Sequence, residues 1–132
     1  MPDPALLQVF PTPPTPPSPD GATFVIEHVA EEFTSLCPRT GHPDFGVVTL
    51  RYQPAPASAG GLCVELKSLK LYYQSFRNEG IFYEAVTVRM RDDLVAALRP
   101  AWLVVRTDWR GRGGIRSTIR AEHGPVPSHA RA

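Results

Sequence analysis

The apolar residues of this chain change their spacing twice, and that change limits the folds open to it. In ATFVIEHVAEEFTS, Ala22 to Ser35, they alternate, with Phe24, Ile26 and His28 on one face, and DFGVVTLRYQP, ending at Pro54, alternates again. A period of two is the mark of a half-buried strand. CVELKSLKLYYQSFRNEG then sets Leu69, Tyr72, Tyr73 and Phe76 at helical spacing, with Ser68 as a candidate cap and Gly80 as a candidate stop. From Phe82 the series Phe82, Val86, Met90, Leu94 and Leu98 runs in four-residue steps, which predicts a second helix ending near Arg99 and Pro100. AWLVVRTDW and IRSTIRA return to strand character around RGRGG, whose glycines suit a turn with positive φ. The predicted order is strand, strand, helix, helix, strand, strand. That is an α+β fold, a four-stranded antiparallel sheet with both helices on one face and its edges open to association.

Eight of the fifteen prolines fall within Met1 to Asp20, so residues 1–20 read as an extended, disordered tail. With a polar C-terminal tail at 125–132 also set aside, one domain remains over residues 21–124. Its roughly one hundred residues are enough for a core but marginal for a self-contained monomer. PAPASAGG reads as a flexible connection. A formal net charge of +1 argues against a broad nucleic-acid surface. There is no run of about twenty apolar residues to cross a membrane, and the N-terminus lacks the order of a secretory signal. Two cysteines, Cys37 and Cys63, are too few for a disulfide scaffold, so a cytoplasmic setting is expected.

The stretch TSLCPRTGHPDFG carries the densest chemistry. A lone cysteine is ordinarily a small buried hydrophobe, and Cys63, followed by Val64 and Leu66, reads that way. Cys37 differs: Pro38 and Pro43 stiffen its loop, Arg39 supplies positive charge that favours thiolate, and Asp44 can act as a proton carrier. His28, His42, His123 and His129 show no ligand spacing, so no metal is expected. Lys67, Lys70 and Arg77 are either solvent-facing charges or phosphate holders helped by Ser68 and a helix N-terminus. Glu84 is either a surface charge in a first helical turn or an acceptor for two parallel N–H donors of a guanine-like edge. The ladder Arg106, Arg110, Arg112, Arg116 and Arg120 is expected to decorate the outer face of a hairpin, the lesser alternative being that one or two of them bind an anion.

TSLCPRTGHPDF and ELKSLKLYYQSFRNEGIFYE resemble the two signatures of the short, unimodular type of the NADPH-dependent 7-cyano-7-deazaguanine reductase family, and RGGI, Arg112 to Ile115, is similar to a third family segment. The resemblance implies the tunnelling fold, whose subunits join edge to edge into rings, here two stacked pentamers forming a homodecamer. It implies that Cys37 attacks the nitrile carbon to form a thioimide and that Asp44 transfers the proton. It puts substrate contacts at Val64, Glu65, Leu66, Tyr83 and Glu84, with Glu84 anchoring the base. NADPH use falls on KSLKLY, Lys67 to Tyr72, with Lys67, Ser68 and Lys70 named, and Arg112 joins them. The implied setting is queuosine tRNA modification, without direct nucleic-acid or membrane contact. Two positions depart from the pattern: Tyr83 stands where histidine is common, and Leu66 where serine is. The rival readings are a pterin-acting tunnelling-fold enzyme of the GTP cyclohydrolase kind, which usually needs a zinc set, and a non-catalytic purine-binding protein.

Overall fold

The computed structural model describes residues 1–14 and 24–131. Its strands are β1 (Val9–Pro11), β2 (Ile26–Leu36), β3 (Pro43–Gln53), β4 (Leu62–Val64), β5 (Trp102–Arg112) and β6 (Ile115–His123), and its α-helices are α1 (Leu66–Gln74) and α2 (Tyr83–Leu98). The antiparallel sheet β2-β3-β5-β6 has both helices between its two hairpins in sequence, as the hydrophobic periods predict. The β5–β6 turn is the pair Gly113 and Gly114, with φ of 58° and 79°. Glycine takes positive φ values without strain, and turns with two of them in succession match the twist of a hairpin.

Alternation decides the core. Val48, Leu50 and Tyr52 of β3 and Leu103 and Val105 of β5 point inward and are fully buried. Against them pack Leu69, Tyr72 and Phe76 from the α1 segment and Val86, Met90, Leu94 and Leu98 from α2, in one cluster. The even residues of β5 face the other way. There Trp102 and Val104 are covered by Val126 and Ala130. The C-terminal segment expected as a polar tail therefore folds back as a 3₁₀ turn, Ser128–Arg131, tied by Arg131 to Glu122 and by Arg51 to the Ala130 carbonyl. Its two small apolar residues are what anchor it.

The N-terminus departs from expectation in the same way. Residues 1–14 are not a free tail: β1 pairs antiparallel with β4, from Val9 opposite Val64 to Pro11 opposite Leu62. Glu65 N–H donates to Gln8 O and Thr12 N–H to Gly61 O, each at 2.9 Å. Pro11 falls between these bonds, where the ladder asks for no N–H. Residues 15–20 of the expected tail lie outside the described residues. Composition identified the prolines but not the partner strand fifty residues away.

Two local corrections bear on the site. A register shift between Ala30 and Phe33 of β2 leaves Glu31 and Glu32 both exposed and returns Phe33 to the core; such a bulge re-aims side chains at a sheet edge. And α1 is capped by Glu65, whose carboxylate accepts from the N–H groups of Lys67 at 2.7 Å and Ser68 at 2.9 Å. Ser68 is inside the helix, not its cap.

Candidate active site

The Cys37 loop is closed by main-chain bonds. Cys37 N–H donates to His42 O and Gly41 N–H to Cys37 O, each at 2.8 Å, with Gly41 at φ 72°. The closure holds the thiol, half-exposed, at the end of β2. It lies under the hydroxyl of Thr40, which does most to hold the Cys37 pKa below its ordinary value; the N–H groups of Thr40 and Arg39 add to this. Desolvation and the charge of Asp44 push the other way. Arg39 contributes to this lowering through its main-chain N–H. Thr40 was missed because the sequence does not show which hydroxyl a turn folds over its thiol.

Asp44 is buried, 4% exposed, and stands opposite Ser35 on β2. The connection between the helices delivers the rest of the site. Leu36 N–H donates to Glu79 O at 2.9 Å and Ile81 N–H to Leu36 O at 3.1 Å, so this segment lies beside the end of β2. Pro38 packs on it closely: a Cβ at Gly80 would stand 3.5 Å from the Pro38 Cα. α2 then opens with Tyr83, whose hydroxyl donates to Asp44 Oδ1 at 3.3 Å and whose ring stacks on Trp109. Glu84 is exposed in the first turn of α2. Cys37, Asp44, Tyr83 and Glu84 are thus gathered at one end of the sheet. The Ser35 hydroxyl, fully buried there, has no hydrogen-bond partner among the described residues.

The remaining expected site residues are elsewhere. Val64 N–H donates to the Tyr52 hydroxyl at 3.0 Å, and Val64, Glu65 and Leu66 line a cleft of 380 Å³ with Phe10, Ile26, His28, Tyr52 and Cys63. Tyr52 pairs with Ile26, ten residues before Leu36. At about 3.3 Å per residue that is the far end of the ladder, about 30 Å from Cys37. One chain does not bring the two groups together. Lys67 and Lys70 are exposed, and Lys70 and Arg77 line a cleft of 550 Å³ with Glu31 and Glu32. Ser68 does not fit the cofactor expectation: it is 3% exposed, and its hydroxyl donates to Glu65 O at 2.7 Å and accepts from Gln8 N–H at 2.9 Å. Arg112 ends β5, and its side chain lies outside the described residues. Among the described residues no group of three or more His, Cys, Asp and Glu side chains is set to hold a metal ion, and no helix is long and apolar enough to cross a membrane.

Residues 43–127 match the family described as QueF-like protein. The NADPH-dependent 7-cyano-7-deazaguanine reductase of Anaeromyxobacter sp. (strain K) is 52% identical over 122 residues, covering 92% of each chain. The chain belongs to the QueF-like family. Another member, the reductase of the same name from Chlorobium phaeovibrioides, is 54% identical over 100 residues, 76% of this chain and 82% of its own. The crystal structure of the apo archaeosine synthase QueF-Like superposes with a TM-score of 0.69 over 80% of this chain and 99% of its own. At 23% identity that likeness speaks for the QueF-like fold alone.

Proposed function

We propose that this chain reduces the nitrile of 7-cyano-7-deazaguanine to the aminomethyl group of 7-aminomethyl-7-deazaguanine, a cytoplasmic step in queuosine modification of tRNA. The observation that carries this reading is that the half-exposed Cys37 thiol lies at the same end of the sheet as the buried Asp44 carboxyl group and the Tyr83 hydroxyl that donates to it. The Cys37 thiolate adds to the nitrile carbon: one S–C bond forms, C≡N becomes C=N, and Asp44 gives the nitrogen its proton. Glu84 accepts the paired N–H groups of the base. When bound, NADPH would supply the two hydrides, which with one further proton account for the amine and for the release of the Cys37 thiolate. Lys67, Lys70 and Arg77 are cations suited to its phosphates, and the cleft lined by Lys70 and Arg77 has room for part of it. Ser68 is left out of that set. Arg112 stays in it on the family resemblance.

The separation of Val64, Glu65 and Leu66 from Cys37 supports a site completed by a second copy. The strand that links the two groups, β2, is a sheet edge, where another chain can align. A ring, and the homodecamer of two pentamers implied by the resemblance, would supply that alignment.

The test is mass spectrometry of the protein mixed with the nitrile substrate and no NADPH. An adduct of the whole substrate mass on Cys37 is expected, since addition to a nitrile expels nothing. Cys37→Ala should lose it and all turnover, Cys63→Ala should keep both, and Asp44→Asn should slow addition by ~10²–10⁴-fold. An adduct on Cys63, or activity in Cys37→Ala, would overturn the reading.

A further inference from the structure

A chain of three hydrogen bonds runs from Trp109 to the Tyr83 carbonyl, and the chemistry of its ends fixes their direction. The indole N–H of Trp109 can only donate, and it gives to Thr107 Oγ1 at 2.8 Å. The carbonyl of Tyr83 can only accept, and it takes from Thr87 Oγ1 at 2.7 Å. The single proton of Thr87 is therefore spent, and Thr107 donates to Thr87 across the 2.7 Å between them. Trp109 closes the circuit by stacking on the Tyr83 ring, with centroids 4.1 Å apart and planes at 7°. Phe33 holds the indole edge-on at 5.9 Å. Gly46 makes the room: a Cβ there would come within 2.9 Å of the indole Cε3.

Both threonines are 0% exposed and Trp109 is 2% exposed. Valine has the same shape without the desolvation cost of a hydroxyl, so packing alone does not call for two linked threonines. What the circuit fixes is a side chain whose hydroxyl donates to Asp44. We propose that Trp109, Thr107 and Thr87 are positioning residues that aim the Tyr83 hydroxyl at Asp44 and so set the rate of the protonated addition to the nitrile. The inference rests on the nitrile-reductase reading and goes beyond it, since all three are buried and are argued to act through Tyr83. Misplacing a reacting group by about an ångström is enough to cost orders of magnitude in rate.

The experiment follows adduct formation on Cys37 in the assembled full-length protein at increasing 7-cyano-7-deazaguanine. It compares wild type with Thr107→Val, Thr107→Ser, Tyr83→Phe and the double variant Tyr83→Phe/Thr107→Val. Thr107→Val is expected to lower the maximal rate by about 3- to 30-fold with the half-saturating concentration within about twofold, a rate effect without a binding effect. Thr107→Ser should restore the rate, because it keeps the relayed hydroxyl. In the Tyr83→Phe background the valine substitution should cost little more, the non-additivity expected of residues acting through one group. Equal losses in both backgrounds, failure of serine to rescue, or a rise in half-saturation alone would overturn the positioning role. If Thr107→Val does not assemble, Trp109→Phe keeps a ring on Tyr83 but donates no N–H, and the same outcomes are read from it. Absence of an adduct in wild type would instead overturn the nitrile reading, so the two failures are distinct.

Discussion

At the residue scale, the thiol is tuned by a hydroxyl of its own loop. The hydroxyl of Thr40 does most to lower the Cys37 pKa, and a lowered thiol pKa means more thiolate at neutral pH. Thr40→Val should therefore move the midpoint of the pH dependence of Cys37 alkylation by iodoacetamide upward. The variant should be slower than wild type at pH 7 and should converge with it at alkaline pH, where both thiols are ionised; superimposable profiles would remove Thr40 from the site. Glu84 offers a second test, in binding. Glu84→Gln turns one acceptor into a donor facing a base N–H, so the half-saturating substrate concentration should rise roughly tenfold to several-hundredfold. Calorimetry giving unchanged affinity would take Glu84 off the base. Cys37, Asp44 and Glu84 were proposed from the sequence because each sits in a dense motif of reactive residue types. Thr87, Thr107 and Trp109 were not, because a threonine on a helix and two residues on a strand read as packing until the fold brings them within 3 Å.

At the element scale, the two hairpins and two helices follow from local periodicity, whereas the small β1–β4 sheet does not. Three residues on each side carry too little pattern, and their partners are far apart in sequence. This strap holds the start of α1, since Gln8 accepts from Glu65 N–H and gives its own N–H to Ser68 Oγ. Its seat depends on Gly61, where a Cβ would stand 1.7 Å from the Ala55 carbonyl oxygen. Because the obstacle is backbone, Gly61→Ala should cost about 2 kcal/mol or more and lower the melting temperature measurably by circular dichroism. An unchanged melt would mean that the strap adapts at no cost.

At the scale of the whole molecule, the four-stranded sheet leaves β2 and β6 as edges among the described residues. Light scattering at micromolar protein in physiological salt is expected to give a ring-sized assembly; a monomer there would count against the shared site. The sequence by itself determined the element order, because hydrophobic period is a local property that survives without knowledge of partners. It also determined the family, because the motifs around Cys37 and Glu84 are contiguous, and the proposal of Cys37 as nucleophile starts from the same motifs. Only the tertiary structure decided that Arg39 contributes to the lowered Cys37 pKa through its main-chain N–H, that Ser68 fastens the N-terminal strap, and that the proline-bearing residues 9–11 form a strand. It alone separated Val64, Glu65 and Leu66 from Cys37 by the length of β2, and it alone closed the circuit from Trp109 to Tyr83. Each of these depends on which groups meet across long sequence separations, and hydrogen-bond partners, unlike periodicity, are not written at any fixed spacing along the chain.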